Sequence, residues 1–405
     1  MSDIKINNIT NRNSDTGPVI AGVSTVSSSA FMVMPSGDTA IRGAGSGRGF
    51  ILGGNISPTG VTNSIEFVNI ASIGSAQDFG DLTVDRMQTQ GLSNSVRGVC
   101  AGGLGGDNND KTTIDYAILS SSGGAVDFGD ISNARRTFVG AGQASNNTIG
   151  IIAGGYDNSD ISPARNISMV EFIIIDTTGD ASDFGEMTHL TRDQGVASSP
   201  TRAVFCGGYN EPTNKGFSDY GSMSRMQYMT FATKGNSENF GQLSHRSFGP
   251  MAVSSATRGV IAGGSDVSPF PNTNVIEFIT IASTGNSQDF GDSTKITAEA
   301  FGCGNSTRGI FFHGVFPSPE VKTNVIDFIT IATKGNATNF GDNTYLCQHS
   351  MALSDSTRGV CAGGVTVNNM SYINIATQGD AVDFGDLSVA RWSGNGGISN
   401  AHGGL

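Results

Sequence analysis

The Asp-Phe-Gly triplet is the part of this 405-residue chain that most resembles a catalytic motif, because in other proteins its aspartate can hold a magnesium ion. The triplet recurs along the chain, twice with Asn in place of Asp, and its phenylalanines are Phe79, Phe128, Phe184, Phe240, Phe290, Phe340 and Phe384. No glycine-rich phosphate loop and no His-Arg-Asp segment accompany it. Such repetition indicates architecture. We expect the phenylalanine to pack between repeats, the glycine to make room and the aspartate to cap a turn.

Candidate metal ligands are scattered through the sequence. The histidines are His189, His245, His313, His349 and His402. They stand in different repeats without ligand spacing, so we expect surface or loop positions for them. Repeated Asp-x-x-Asp pairs could bind calcium through oxygen atoms, but each pair offers two carboxylates where calcium takes six to eight ligands. The sequence therefore predicts no metal and no cofactor.

The chain also lacks a recognisable catalytic constellation. A serine nucleophile would need a sharp strand-to-helix turn with a histidine and an acid nearby, and no Gly-x-Ser-x-Gly segment has that context. A glycosidase would need an acidic pair that differs between repeats, whereas the conspicuous acids here are the repeated ones. We therefore predict that the protein is not an enzyme.

The cysteines have the pattern of core residues. They are Cys100, Cys206, Cys303, Cys347 and Cys361, and no pair has Cys-x-x-Cys spacing. Cys100 and Cys361 occupy the repeat position that holds Ile51, Ile152, Ile261 and Phe311 in other copies. A cysteine that alternates with isoleucine is a small buried hydrophobe, in preference to a disulfide or metal ligand.

Composition and charge exclude several classes of partner. The formal net charge is −12 and no cluster of Lys and Arg is present. Because a phosphate-binding surface needs clustered cations, nucleic acid and anionic membranes are poor candidates. The N-terminus, Met1-Ser-Asp-Ile-Lys5, lacks the basic-then-apolar pattern of a signal peptide, and no apolar run is long enough to span a bilayer. We expect no membrane insertion.

The dominant signal is a tandem repeat of about 50 residues. The phrase Arg-Gly-Val-Ile-Ala-Gly-Gly is followed by a loop, an Ile-Glu-Phe-Ile-Thr-Ile-Ala run, a Gly-Asn turn and Asp-Phe-Gly-Asp. The second glycine of the pair falls at Gly54, Gly103, Gly155, Gly208, Gly264, Gly314 and Gly364. Each copy reads as four short strands: one before Arg-Gly (such as 299–303), one ending in the double glycine, one rich in β-branched residues, and one near Asp-Phe-Gly-Asp. We expect an all-β, seven-bladed β-propeller with four antiparallel strands per blade and minimal helix.

An arginine opens the second strand of most repeats. The column contains Arg48, Arg97, Arg202, Arg258, Arg308 and Arg358, and Ile149 interrupts it in the third copy. The start of this strand lies at the same end of the blade as the turn before Asp-Phe-Gly-Asp. We therefore predict that the arginines tie strands or blades together, by binding either the repeated aspartates or backbone carbonyls.

Period, strand number and the double glycine together resemble the Kelch repeat, whose copies form propeller blades around a channel. The resemblance covers about residues 47–405, with blades starting near residues 48, 97, 149, 202, 258, 308 and 358. The fourth-strand tryptophan of Kelch repeats is absent, and the triplet phenylalanine takes its position. The first glycine of the pair is His313 in blade six.

The ring needs a first strand for blade one, and two segments compete for that place. The C-terminal stretch 398–405 repeats the residues that lead into each second strand, which favours residues 393–399. Residues 39–45 are the alternative. A strand supplied from the far end of the chain would leave no open edge between the first and last blades.

The connection between the second and third strands varies most among the copies. It spans 55–64 in blade one, 156–169 in blade three and 209–225 in blade four, but only 365–369 in blade seven. Loops on a rigid scaffold carry binding function. Aromatic and acidic side chains in these loops suit a sugar, and the candidate ligand-binding residues are Tyr156, Asp157, Tyr209, Glu211, Phe217, Tyr220, Phe270 and Phe316. The alternative is that these rings cover the ends of the core.

Residues 1–46 do not match the repeat and predict an arm for attachment or oligomerisation. With the segments 11–18 and 31–35 of this arm and the repeat phrase, the chain resembles structural proteins of tailed bacteriophages, particularly marine cyanophages. The resemblance implies a location in the virion, contacts of the arm with other virion proteins, and a homo-oligomer.

Three functions fit these observations. The first is a tail-fibre or host-recognition propeller that binds a host surface glycan or protein through its loops. The second is capsid decoration or a tail-assembly part. The third is an enzyme that acts on polysaccharide. The first is the leading hypothesis.

Overall fold

Short β-branched strands separated by glycine turns bury one another by stacking into blades, and a computed structural model has this architecture. It describes residues 24–25, 32–33, 47–56, 60–137, 139–141, 143–157, 165–210, 221–266, 273–296, 300–317, 320–392 and 397–399. Seven antiparallel sheets form a seven-bladed β-propeller, as predicted. Within these ranges there is no helix, and thus none long and apolar enough to cross a membrane.

In blades two to seven the strands run in sequence order from the centre of the ring outwards, and in blade one the last strand of the chain takes the innermost place. The strands of blade one are Ile398–Ser399, Arg48–Ile56, Gly60–Asn69 and Gln77–Asp81. Those of blade two are Gln90–Ser93, Arg97–Ala101, Thr113–Ile118 and Val126–Asp130. Those of blade three are Val139–Ala141, Ile149–Ala153, Met169–Ile174 and Ser182–Glu186. The strands of blades four and five are Gln194–Ser198, Arg202–Cys206, Gly221–Thr230 and Glu238–Ser247; and Met251–Ser254, Arg258–Ala262, Val275–Thr280 and Gln288–Asp292. Those of blades six and seven are Phe301–Gly304, Arg308–Phe312, Glu320–Thr330 and Thr338–Cys347; and Met351–Ser354, Arg358–Gly364, Val367–Asn374 and Val382–Asp386.

Short additional strands lie outside this plan. They are the pair Ser24–Thr25 and Met32–Val33, the pair Tyr156–Asp157 and Arg165–Asn166, and the single strands Tyr209–Asn210 and Val315–Pro317. Several of them extend a second–third hairpin into a segment that the sequence predicts as loop. The loops are therefore shorter than expected, because backbone pairing continues beyond the double glycine.

Blade three is the irregular member of the ring. Its second, third and fourth strands form an antiparallel sheet, but its inner strand Val139–Ala141 pairs in parallel with the inner strand of blade four. Further along the chain, the antiparallel bridge between Ser145 and Gly150 pairs this segment with the second strand of blade three.

The C-terminal segment closes the ring. Ser399 pairs with Gly49 and Ile398 with Phe50, so the last strand of the chain is the innermost strand of blade one. Of the two competing segments, the C-terminal one is present there. This arrangement joins the two ends of the repeat array and removes the open edge that a linear array would leave.

The hydrophobic core is divided among the junctions between blades. Seven buried clusters occur, each drawing side chains from two neighbouring blades; one joins Phe79 of blade one to Cys100 and Leu119 of blade two. In every blade the triplet phenylalanine meets an aromatic ring of the third strand edge to face, as Phe79 does with Phe67 at 6.0 Å. The phenylalanine therefore packs between blades, as predicted.

A backbone clasp joins the outer strand of each blade to the next blade. Gly179 N donates to Phe128 O at 2.7 Å, Ala181 N donates to Asp130 O at 2.8 Å, and Asp180 Oδ1 accepts from Asp130 N at 3.0 Å. The two backbone bonds recur at all seven junctions, ending with Gly74 N to Phe384 O and Ala76 N to Asp386 O. The clasp caps an outer edge that would otherwise present unpaired backbone groups.

A second tie lies at the centre of the ring. A serine on the inner strand donates its hydroxyl to a carbonyl of the preceding inner strand, as Ser399 Oγ does to Ser354 O at 2.8 Å. The same contact is made by Ser93, Ser145, Ser198, Ser254 and Ser354. Blade six has Gly304 at this position.

The arginine column bonds to backbone carbonyls, the second of the two predicted alternatives. Arg358 Nη1 donates to Ile70 O of the next blade at 3.1 Å, and its guanidinium lies 4.5 Å from the centre of the Tyr372 ring. Equivalent carbonyl bonds and ring contacts are made by Arg48, Arg97, Arg202, Arg258 and Arg308. In blade three, where Ile149 replaces arginine, Lys234 from the turn of blade four covers the Phe172 ring at 4.3 Å.

The clasp explains why the triplet needs its glycine. A β-carbon on Gly129 would lie 2.5 Å from the backbone of Gly179 in the next blade, whereas a β-carbon on Gly179 would meet nothing within 4 Å. Both residues have positive φ, +141° and +150°, so a side chain strains the backbone similarly at the two sites.

We therefore expect Gly129→Ala to destabilise the fold by on the order of 2 kcal/mol more than Gly179→Ala, because alanine at 129 forces two blades apart. Denaturant unfolding of both variants measures the difference. Equal losses in the two variants would show that only local backbone strain is involved.

Candidate functional site

One face of the ring carries most of the variation among the seven copies. This loop face bears the connections between second and third strands and those from each fourth strand to the next first strand. In the described parts of the chain, the residue entering the first strand varies among the copies, with arginine twice: Met87, Arg136, Arg192, Phe248, Gln348 and Trp392. The opposite face, here the turn face, bears the nearly constant turns. Variation on a uniform scaffold is typical of a binding surface.

Backbone bridges hold this variable column against the residue that follows the double glycine. Arg136 exchanges two hydrogen bonds with Tyr156, each of 2.9 Å, and Arg192 bonds to Tyr209 in the same way. The other bridges are Met87 to Leu104, Phe248 to Ser265 and Trp392 to Asn55. The ends of the variable loops are therefore fixed around the mouth of the channel.

Across blades three to five these residues form a continuous row. The Arg192 guanidinium lies 4.8 Å from the Tyr156 ring centre and 5.0 Å from that of Tyr209. Arg136 lies 5.4 Å from the Tyr156 ring, and Phe248 meets Tyr209 edge to face at 5.5 Å. Cation–π contacts of this kind fix the planar groups relative to one another. The row presents partly exposed phenol and guanidinium groups that can hydrogen-bond to a ligand.

The predicted site residues fall into three groups. Tyr156 and Tyr209 are brought together through Arg192. Asp157 is buried, with 3 % of its surface exposed, so its carboxylate belongs to the interior. Phe316 stands on a short strand of blade six, and its side chain lies outside the described residues, as do Glu211, Phe217, Tyr220 and Phe270.

Sequence reasoning missed Arg136, Arg192 and Phe248. A signal for them was available, since they share one repeat column whose residue varies among the copies. The column precedes the first strand, whereas the ligand-binding residues were expected in the connection between the second and third strands.

Three polar residues of the loop face have backbone conformations that favour glycine. Gln88, Asp193 and His349 have φ of +59°, +53° and +50°, and Gly249 occupies the same repeat position at +61°. A residue other than glycine in this region costs on the order of 1 kcal/mol or more and clusters at ligand sites. The strain supports a functional role for polar side chains at the channel mouth.

The Asp193 carboxyl is the most perturbed acid of this face. Burial raises its pKa to about 6, and Arg192, whose Nε is 3.9 Å from the carboxylate, opposes the rise. The group therefore changes charge near neutral pH beside the guanidinium of the row.

On the other side of the mouth, the ring of His349 lies 5.3 Å from that of Trp392, the one tryptophan of the chain. This contact spans the seam between blades seven and one, where the ends of the chain meet. It adds a second aromatic surface to the loop face.

The remaining conspicuous charges are buried ties between blades. Arg86 pairs with Asp115, Arg135 with Glu171 at 2.8 Å, and Arg391 with Glu66 at 2.9 Å. Each acid stands on a third strand and each arginine comes from the preceding blade. Because both partners are nearly or fully buried, these pairs hold blades in register.

Histidine pairs with the third-strand acid in blades five and six. His245 comes from the preceding blade, whereas His313 belongs to blade six itself, and its position corrects the expectation of a surface or loop site. Its side chain is fully buried, and its Nε2 lies 2.8 Å from Asp327 Oδ2. His245 Nδ1 lies 3.0 Å from Glu277 Oε2. Burial opposes ionisation of Asp327 and Glu277, but hydrogen bonds from their histidine, serine and threonine partners outweigh it and leave both pKa values below their usual range.

The described cysteines, Cys100, Cys206, Cys303 and Cys361, are buried and are not joined by disulfide bonds, in agreement with the prediction of core positions. Burial raises the pKa of the Cys100, Cys206 and Cys303 thiols, to about 12 for Cys303. Among the described residues, no group of three or more His, Cys, Asp or Glu side chains is arranged to hold a metal ion.

Comparison with known proteins adds no relative: no family model matches the chain, and no curated protein matches it.

We expect Asp193→Asn to stabilise the protein at neutral pH, because it removes a carboxyl that must ionise while partly buried. The carboxyl has a raised pKa in the folded state, so the wild type loses stability as pH rises from about 4 to about 6. The difference in Tm between variant and wild type should therefore grow over that interval. A difference that does not change between pH 4 and pH 7 would contradict the burial of this group.

His313→Gly should destabilise the ring by about 3–5 kcal/mol, because it leaves the buried carboxylate of Asp327 without the imidazole that pairs with it. Glycine itself fits, since the equivalent Gly263 and Gly363 have φ of +60° and +63°. Blade seven has Gly363 with Ser371 at the corresponding positions. The double variant His313→Gly, Asp327→Ser should recover much of the loss in denaturant unfolding, and no recovery would assign the loss to packing alone.

Proposed function

We propose that this chain is a non-enzymatic, Kelch-like binding propeller of a tailed-phage virion, and that its loop face binds a host surface glycan or protein. The observation that carries the proposal is that repeated structural contacts and variable residues occupy different parts of the ring. Ties between blades are repeated with little change, while the residues around the channel mouth vary among the copies. A scaffold of this kind can vary its ligand contacts without loss of the fold.

The chemistry of the mouth supports a polar, ring-bearing ligand. The row of Arg136, Tyr156, Arg192 and Tyr209 offers hydrogen-bond donors held by cation–π contacts, and His349 with Trp392 offers a further aromatic surface. Sugars use both kinds of contact, since their hydroxyls take hydrogen bonds and their C–H faces pack on rings. A ligand that meets preordered side chains loses less entropy on binding.

The virion assignment rests on the resemblance of the repeat phrase and of residues 1–46 to phage structural proteins. In a virion, residues 1–46 would contact other virion proteins, and the loop face would point away from the particle. Capsid decoration or tail assembly is the second candidate. It is favoured by exposed apolar side chains on the turn face, such as Ile73 and Val96.

Binding of the purified full chain to marine cyanobacterial cells and to their extracted envelope polysaccharides tests the proposal. We expect the double variant Arg192→Ser, Tyr209→Ala to bind at least about tenfold more weakly, because it removes the centre of the row. Met87→Ala changes the same repeat column at another junction and should bind as the wild type does.

Thermal unfolding of both variants shows whether the ring is intact. Unchanged binding by a folded Arg192→Ser, Tyr209→Ala variant would exclude the row as the receptor site. Immunogold labelling of particles separates the two virion roles, since label on the capsid shell would exclude host recognition by a tail fibre.

A further inference from the structure

The turn face bears exposed apolar side chains on one half of the ring. Six large hydrophobic residues lie there with between 42 % and 59 % of their surface exposed: Ile73, Val96, Ile118, Val126, Ile174 and Val382. They belong to blades seven, one, two and three. We call these six residues the apolar arc.

Comparison among the repeats shows that the arc departs from the common pattern. At the positions of Ile118 and Ile174, the other copies have Asn69, Thr230, Thr280, Thr330 and Asn374. At the positions of Val126 and Val382, they have Gln77, Ser182, Glu238, Gln288 and Thr338. Val96 stands where five other blades have threonine. Polar residues are therefore compatible with the fold at these positions, so the fold itself does not require the apolar side chains of the arc.

The members of the arc are neighbours across the blade junctions. The clasp bond from Gly74 N to Phe384 O places the turn containing Ile73 beside the strand containing Val382. The bond from Gly179 N to Phe128 O likewise brings blade three against the strand of Val126. Within blade two, Val96 O accepts from Leu119 N, next to Ile118.

The N-terminal arm joins the propeller in the middle of this arc. Gly47, the first described residue of blade one, accepts a hydrogen bond from Ile70 N at the turn face. The next residue, Arg48, reaches across to Leu119 O and Ser121 O of blade two. Ile73 and Val382 thus lie on one side of the arm's attachment, and the other four residues on its other side.

The arm contains segments that need such a surface. Ser24–Thr25 pairs antiparallel with Met32–Val33, and the sequence around this hairpin is rich in Val, Ile, Phe and Met from residue 19 to residue 35. An isolated two-stranded hairpin is marginally stable in water and gains stability by packing against an apolar surface. The linker 36–46 can extend roughly 35 Å at about 3.3 Å per residue, enough to cross neighbouring blades.

We propose that the apolar arc is the docking surface for residues 19–35 of the same chain. The hairpin covers the arc beside its own point of attachment. A second copy of the chain and a separate virion protein are the other possible occupants, and the experiment distinguishes them. The inference does not depend on the ligand of the loop face.

Hydrogen exchange of the full chain, read by mass spectrometry on peptides from residues 19–35, tests the docking. The triple variant Val96→Thr, Ile118→Thr, Val126→Thr carries residues that other blades have at these positions, so the ring should fold. We expect these peptides to exchange on the order of tenfold faster in the variant than in the wild type. Ile296→Thr, Leu346→Thr removes two apolar residues that are exposed on the loop face and should leave the exchange unchanged.

Three outcomes would overturn the proposal. Exchange of residues 19–35 at the unprotected rate in the wild-type chain would show that another protein must cover the arc. Protection that the triple variant retains would place the hairpin elsewhere. Protection that falls on dilution, together with a dimer in light scattering, would assign the arc to the arm of a second copy.

Discussion

The hydrogen bonds between each outer strand and the turn of the next blade are the interaction on which this ring depends. An outer strand that ends a sheet presents unpaired backbone groups, and in this chain the Gly-Asn/Asp-Ala/Ser turn of the neighbour meets them. The fit requires glycine in the triplet, because a β-carbon there would contact the neighbouring backbone at about 2.5 Å or less. The two most repeated phrases of the sequence are therefore the two halves of one contact.

Three further sets of contacts join the blades at other distances from the centre of the ring. Serine hydroxyls join the inner strands, buried ion pairs join third strands to the preceding blade, and arginines cross the turn face to carbonyls. Each tie is local, but closure by Ile398–Ser399 makes them cooperative, since no junction can open without straining the rest of the ring. Redundancy of this kind permits single departures. Lys234 covers the ring left bare by Ile149, and His313 meets Asp327 at a position where six other blades have glycine.

Because these ties hold the ring together, the remaining residues of the two faces can differ in chemistry. The loop face combines a variable column, strained polar residues and an acid with a pKa of about 6 beside a stacked guanidinium. The turn face has a polar half and the apolar half that flanks the arm. A molecule with a ligand at one face and an attachment at the other is what the proposed role in a virion requires.

Much of this architecture can be predicted from the sequence, because a repeat supplies seven observations of one structural unit. The period, the strand pattern and the double glycine determine the propeller, its blade number and the packing of the triplet phenylalanine. Loop variation and residue type make Tyr156 and Tyr209 candidates for ligand binding, and this remains a prediction. The sequence could not decide which partner an arginine binds, that Asp157 is buried or that His313 lies in the core, because these depend on contacts between residues of neighbouring blades. The clasp and the row of Arg136, Arg192 and Phe248 likewise exist only when the ring closes, since closure brings the turn of one blade against the strand of another.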